Sequence, residues 1–356
     1  MNTTALKYGL LTLLLIFFAA IYATGLHSFG MFMWDEAEYA SLARSLLRGD
    51  GFAIGDEANH YRLPVLPVLT AICMALTGSE ADWVLKMSSL ISALGILALV
   101  YLVVSKLYDL PAAVLAVLLL GLFPHFWVSV PLLMTEMPFM LWFTGAVFFL
   151  YFALYDNLRW LYLSAIFTVL ALMTRYTGVL FAPIALMFLL VRYARTPKDA
   201  WVFLRSHEFL LSVILALALI IPWLIRQQLT FGDALTGFRY ASSQLSWYLP
   251  GVSMPWHYYI SVLPRILTWS GTILALAGMT WAFYRTDRFA LHCVLTIAVI
   301  VIWMSFYRFK EPRQIMAVLP FITVLGAFAL TRILSPRTGH LRHAITLALL
   351  LFVAVP

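Results

Sequence analysis

The chain has 356 residues, 63% of them hydrophobic and only 11% charged, with a mean hydropathy of +0.93. No water-soluble domain of this length offers so little polar surface, so the composition excludes a soluble enzyme and indicates a multi-pass membrane protein. The net charge of +7 sits in short loops between apolar runs, a pattern that reports membrane topology and argues against nucleic acid as a partner.

Apolar runs of spanning length are expected at 6–26, 83–105, 112–128, 138–155, 160–174, 177–191, 208–225, 263–284, 290–306 and 314–333, with a stub from 344. The expected fold is therefore all-α, a transmembrane helical bundle of about 10–11 spans. The first run is too long for a cleaved signal peptide and reads as a signal anchor. The stub at 344–356 is too short to cross, so a single domain over 1–356, truncated at its C-terminus, is expected. Cys73 and Cys293 lie in or beside apolar runs without metal-ligand spacing and read as packing residues.

Residues 63–78 are short for a crossing and carry Pro64 and Pro67 near their start. If this segment does not cross and the N-terminus is cytoplasmic, Lys106, Arg159, Arg192, Arg195, Lys198, Arg205, Arg285, Arg288, Arg337 and Arg342 all fall inside. The positive-inside rule prefers that arrangement, so 63–78 is expected to be interfacial or re-entrant. The multi-pass protein would then sit in a plasma or inner membrane, with loops 27–82 and 226–262 extracytoplasmic.

The first outer loop opens on Trp34-Asp35-Glu36-Ala37-Glu38-Tyr39, three carboxylates at the mouth of a span. Acids so near a bilayer are costly unless they bind or catalyse. Residues 36–48 place Tyr39, Leu42, Ala43, Leu46 and Leu47 on one stripe, an amphipathic surface helix ended by Gly49 and Gly51. Asp35-x-x-Glu38 also fits a helix-capping box, which is compatible with a catalytic role for Asp35. Next comes His60-Tyr61-Arg62-Leu63-Pro64, where Arg62 is placed to grip a lipid phosphate or to snorkel to the interface.

Glu136 is the sole charged residue between Asp109 and Asp156, which favours function over simple capping. Arg175, in Thr174-Arg175-Tyr176-Thr177-Gly178, lies between two apolar runs and reads as an ion-pair partner or a ligand contact. Arg308, Lys310 and Arg313 cluster on the side where cations are disfavoured, which points to a phosphate or pyrophosphate ligand. In loop 226–262, Tyr240, Trp247, Trp256 and Tyr258 are interface anchors or a substrate lid.

These segments, in this order, resemble the GT-C membrane glycosyltransferases. The likeness is to the group of protein O-mannosyltransferases, the lipid A aminoarabinose transferase and the Rgt-type bacterial sugar transferases. It runs from about residue 6 to 333. It is carried by Trp34-Asp35-Glu36-x-x-Tyr39, Tyr61-Arg62-x-Pro64, Thr135-Glu136-x-Pro138, Thr174-Arg175-Tyr176-x-Gly178 and Lys310-Glu311-x-Arg313. Relatives commonly have a Lys and a double proline where this chain has Arg62 to Val65, and an aromatic where it has Gln314.

The resemblance implies inverting transfer of a sugar from a polyprenyl- or dolichyl-phosphate donor to an acceptor hydroxyl of a lipid, glycan or protein at the extracytoplasmic face. By the same implication Asp35 is the base, assisted by Glu36. Glu38, Glu136 and His60 orient the acceptor or a metal, and Arg62, Arg175, Lys310 and Arg313 bind the donor phosphate. A divalent cation on Asp35, Glu36 and Glu136 is left open. The alternative is a transporter or flippase of lipid-linked sugars. Such a protein is expected to place polar or broken helices near the bilayer midplane, often in paired repeats; here the charges gather at one face and no repeat is apparent.

Overall fold

The computed structural model describes residues 3–28, 30–31, 33–245, 254–307 and 310–334. Its first elements are α1 (Thr3–Ser28), α2 (Trp34–Arg48), the hairpin strands β1 (Ala53–Ile54) and β2 (Glu57–Ala58), α3 (Val65–Thr77) and α4 (Asp82–Leu107). Next are α5 (Leu110–Leu122), α6 (Pro124–Ser129), α7 (Glu136–Tyr155), α8 (Trp160–Leu172), α9 (Phe181–Tyr193) and α10 (Pro197–Leu204). The chain closes with α11 (His207–Phe231), α12 (Thr236–Leu245), α13 (Tyr258–Arg285), α14 (Arg288–Ser305) and α15 (Leu319–Leu334). Short 3-10 turns at Tyr176–Leu180 and Pro312–Val318 lead into α9 and α15.

Eight helical stretches among the described residues are long and apolar enough to cross a membrane, and the protein is an integral, multi-pass membrane protein with the all-α fold its sequence implies. Three apolar helices, α3, α5 and α8, have only 13 residues each. The expected span 112–128 is broken because Pro124 pushes Phe123 into extended backbone (φ −61°, ψ 128°), which ends α5 and restarts the chain as α6. Segment 63–78 forms α3, about 20 Å long at 1.5 Å per residue and too short to span. It packs between α2 and α4. The stub from 344 lies outside the described residues.

Within the bundle, burial separates core from rim. The most apolar window of α7 is 83% buried and that of 312–331 is 94% buried, against 6% for α11. The two most central helices therefore begin with residues singled out above, Glu136 at the first position of α7 and Arg313 in the turn before α15. A side chain at the end of a tightly packed helix is held in place by that packing. Cys73 and Cys293 are buried free thiols, as packing residues should be.

Candidate active site

α2 forms because its buried stripe of Tyr39, Ala40, Leu42 and Ala43 faces α3, and Gly49 closes it in the left-handed region (φ 84°). Its start differs from the capping box read in the sequence. The helix begins two residues earlier, with Met33 as N-cap, so the capping acid is Glu36 and not Asp35. Glu36 is fully buried; Oε2 accepts the Met33 N–H at 3.1 Å and Oε1 accepts the Leu133 N–H at 2.9 Å. It ties α2 to the loop ahead of Glu136 and does not line the cavity described next. Asp35, released from capping, does.

That cavity, of about 340 Å³, opens where the α1–α4 connection meets the starts of α7, the 176–180 turn and the 312–318 turn. Two carboxylates, Asp35 and Glu136, and three guanidiniums, Arg62, Arg175 and Arg313, line it. Arg62 Nη2 contacts Asp35 Oδ1 at 2.5 Å, and its Nε donates to Glu38 Oε2 at 2.6 Å. Arg313 Nη1 stands 3.5 Å from Asp35 Oδ2 and 4.0 Å from Glu136 Oε1. Arg175 Nη1 donates to Glu136 Oε1 at 2.7 Å and to Thr135 Oγ1 at 3.1 Å. So the ion-pair reading of Arg175 holds, and the same guanidinium also borders the cavity. Glu136 is 4% exposed, and its Oε2 is buried without a hydrogen-bond partner.

Glu38 is occupied: it accepts from Tyr61 Oη at 2.6 Å, Trp34 Nε1 at 2.9 Å and Arg62. It sets Arg62 and Tyr61, and is not among the cavity-lining side chains. Burial and the hydrogen bond to Glu38 push the Tyr61 hydroxyl up to about 12. Burial alone lowers the pKa of the Arg62 guanidinium, but Tyr39, Asp35 and Glu38 outweigh it and hold Arg62 above its ordinary range. Gly178 allows the 176–180 turn to double back on α8, since a Cβ there would lie 2.6 Å from the Leu172 backbone. That close return is what aims Arg175 at Glu136.

Not every candidate arrives. Lys310 is buried, but its Nζ donates to the Tyr307 carbonyl and, at 3.3 Å, to that of Met254; it does not line the cavity, and burial lowers its pKa. His60 stacks edge-on with Tyr61, Phe231 and Tyr240 instead of facing the acids. Of the lid candidates, Tyr240 lines the cavity, 5.1 Å from the Tyr61 ring. Trp256 is 70% exposed, Tyr258 packs on the helical core, and Trp247, like Arg308, lies outside the described residues. Sequence reasoning gives no role to Thr177, whose buried hydroxyl has no partner and borders the cavity. It also misses Arg226 and Gln227; the available signal is a charged and an amide side chain directly ending the run 208–225.

The acids considered for a divalent cation are engaged mainly with backbone N–H groups and guanidiniums. Among the described residues no group of three or more His, Cys, Asp or Glu side chains is arranged to hold one. Of the three acids considered, Glu36 accepts two backbone N–H groups, and Asp35 and Glu136 face guanidiniums.

Residues 61–225 match the family model described as dolichyl-phosphate-mannose-protein mannosyltransferase. Compared by sequence with curated proteins, the chain matches none. In fold it is similar to ArnT from Cupriavidus metallidurans in the apo state, with a TM-score of 0.79 and 17% identity over 96% of this chain and 62% of that one. ArnT bound to undecaprenyl phosphate matches equally well, at 0.78, 18% identity and the same coverage. The archaeal oligosaccharyltransferase AglB from Archaeoglobus fulgidus, in complex with an inhibitory peptide and a dolichol-phosphate, gives 0.62 and 14% identity over 99% of this chain and 55% of that one. The present chain thus spans about three fifths of the length of ArnT. In family model and fold, it is similar to the GT-C superfamily of membrane glycosyltransferases.

Proposed function

We propose that the protein is a glycosyltransferase that moves a sugar from a polyprenyl-phosphate donor to an acceptor hydroxyl, with its site at the extracytoplasmic face. The observation that carries this reading is the convergence of three guanidiniums and two carboxylates on one 340 Å³ cavity at the end of the bundle. A cavity of that size suits a sugar ring and a phosphate. Guanidiniums match phosphate oxygens, and a base beside them suits an acceptor hydroxyl. The likeness to ArnT, one structure of which holds undecaprenyl phosphate, supports the choice of donor.

In this reading Asp35 takes the acceptor proton as the acceptor oxygen attacks the anomeric carbon. The bond from that carbon to the phosphate oxygen breaks, and polyprenyl phosphate leaves with the electron pair, giving inversion. Arg62 and Arg313 stabilise the departing phosphate. Both oxygens of Asp35 face these guanidiniums. A phosphate that draws them toward itself frees Asp35 to accept the proton, so donor binding and base release are linked.

The test is transfer of a radiolabelled sugar from polyprenyl-phosphate donors by wild type and by Asp35→Asn at matched folded levels. Transfer that collapses in the variant supports the reading. Equal transfer by both removes Asp35 as the base, and none by wild type across donors and acceptors overturns the activity.

A further inference from the structure

The stretch that delivers Arg62 to the cavity is held by its backbone, one carbonyl after another. Arg226 Nη1 donates to the Asn59 carbonyl at 2.7 Å, and its Nη2 donates to the Phe52 carbonyl at 2.9 Å. Gln227 Nε2 donates to the His60 carbonyl at 3.4 Å, and Tyr176 Oη to the Tyr61 carbonyl at 3.0 Å. Asn59 Oδ1 then accepts the Arg62 N–H at 2.8 Å. Asn59 N also donates to the Phe52 carbonyl at 2.9 Å, so one guanidinium joins both legs of the β1–β2 hairpin at its base.

Arg226 and Gln227 sit at the outer end of α11, the rim helix that contributes least to the core. Gln227 is nonetheless 1% exposed, and the Arg226 guanidinium lies about 5 Å from the rings of Phe52, Trp223 and Phe231. Neither residue lines the cavity. A guanidinium held between aromatic faces and spent on two carbonyls is fixed, and it fixes what it holds.

We infer that Arg226 and Gln227 are positioning residues for Arg62: they set the 59–62 backbone, and through it the guanidinium that meets the donor phosphate. The inference rests on the proposed donor. The same end of α11 leads into α12, where Gly237 leaves room for the His60 carbonyl; a Cβ there would lie 2.8 Å from that oxygen. The clamp and Tyr240 therefore share one support.

The experiment measures undecaprenyl phosphate affinity in detergent, together with deuterium uptake of residues 52–64, for wild type, Arg226→Ala, Arg226→Lys, Gln227→Ala, Arg62→Ala and the Arg62→Ala/Arg226→Ala double variant. Arg226→Ala is expected to raise uptake in 52–64 while leaving α4 unchanged. It is also expected to weaken binding roughly tenfold, the scale on which outer-shell partners act elsewhere. Gln227→Ala should do the same more weakly, and Arg226→Lys, which can reach one carbonyl but not bridge two, should recover part of the loss. Added to Arg62→Ala, Arg226→Ala should cost less than about twofold more, because both act through one guanidinium. Additive losses, or raised uptake with unchanged affinity, would overturn the inference. If wild type binds no undecaprenyl phosphate, the proposed donor fails; unchanged uptake in Arg226→Ala would then overturn the clamp on its own.

Discussion

Arg313 reaches Asp35 from the opposite end of the chain, Nη1 to Oδ2 at 3.5 Å. The same guanidinium is braced by its Nε on Glu311 Oε2 at 2.6 Å, which leaves Nη1 to face Asp35. Long-range pairing of this kind joins the α1–α4 connection to the central helix pair. In the proposed reaction it also supplies a cation to the phosphate that leaves the anomeric carbon.

Asp35 and Glu36 are neighbours with opposite duties, and substitution should separate them. Asp35→Asn is expected to lower transfer by about 10²- to 10⁴-fold, the range of a lost general base. Its thermal unfolding should stay near wild type, because Arg62 keeps Glu38. Glu36→Ala should instead lower the unfolding temperature, since two backbone N–H groups lose their acceptor at about 1–3 kcal/mol each. Rate and melting curves for the pair decide this: a stable, inactive Glu36→Ala would reverse the assignment.

The sequence made the all-α membrane fold legible because apolar length and loop charge are one-dimensional properties. The non-crossing of 63–78 was readable for the same reason. Helix breaks and caps were less so: α5 ends at Phe123 because of a proline whose effect the apolar average hid, and the α2 start shifted by two residues. At the site, residue types pointed to Asp35, Arg62, Glu136, Arg175 and Arg313, which do converge. Lys310 did not follow, since spacing alone cannot say whether an ammonium turns to a cavity or to nearby carbonyls. Arg226 could be marked only by its place at the end of an apolar run; its role was not legible, because its partners are backbone atoms distant in sequence.

Arg175 and Glu136 form a pair with the carboxylate almost fully buried. Breaking such a pair from one side leaves an uncompensated charge, at a cost of about 3–5 kcal/mol. Arg175→Met is therefore expected to lower stability sharply. The double change Arg175→Met with Glu136→Leu should regain most of it while remaining inactive. Thermal unfolding of the three proteins in one detergent tests this, and a double variant no more stable than the single would refute the buried-pair account.

Lys310 and Arg313 are close in sequence but face different partners. Arg313→Ala should reduce the transfer rate by about 10²- to 10³-fold, as loss of one transition-state donor does. Lys310→Met removes the ammonium that joins the Tyr307 and Met254 carbonyls, so it should loosen residues 254–258 while leaving donor affinity unchanged. Deuterium uptake there and donor titration check both halves. A donor affinity that falls equally in the two variants would return Lys310 to the phosphate site.

Tyr240 and Trp256 are both lid candidates by sequence, and their surroundings set them apart. Tyr240 borders the cavity and packs on Tyr61 and His60 at 5.1 and 5.6 Å. Trp256 does not line the cavity; its exposed ring lies 5.5 Å from that of its neighbour His257. An aromatic pair contributes about 0.5–1.5 kcal/mol beyond burial, which corresponds to about 2- to 12-fold in affinity. Tyr240→Ala should raise the donor KM within that range with little change in kcat, and Tyr240→Phe should restore it, because the ring and not the hydroxyl makes the contact. Trp256→Ala should leave KM alone and weaken only seating at the membrane interface, where exposed tryptophans sit. Steady-state kinetics of the three variants distinguish a roof over the substrate from an anchor: a KM unmoved by Tyr240→Ala would leave the cavity without a lid.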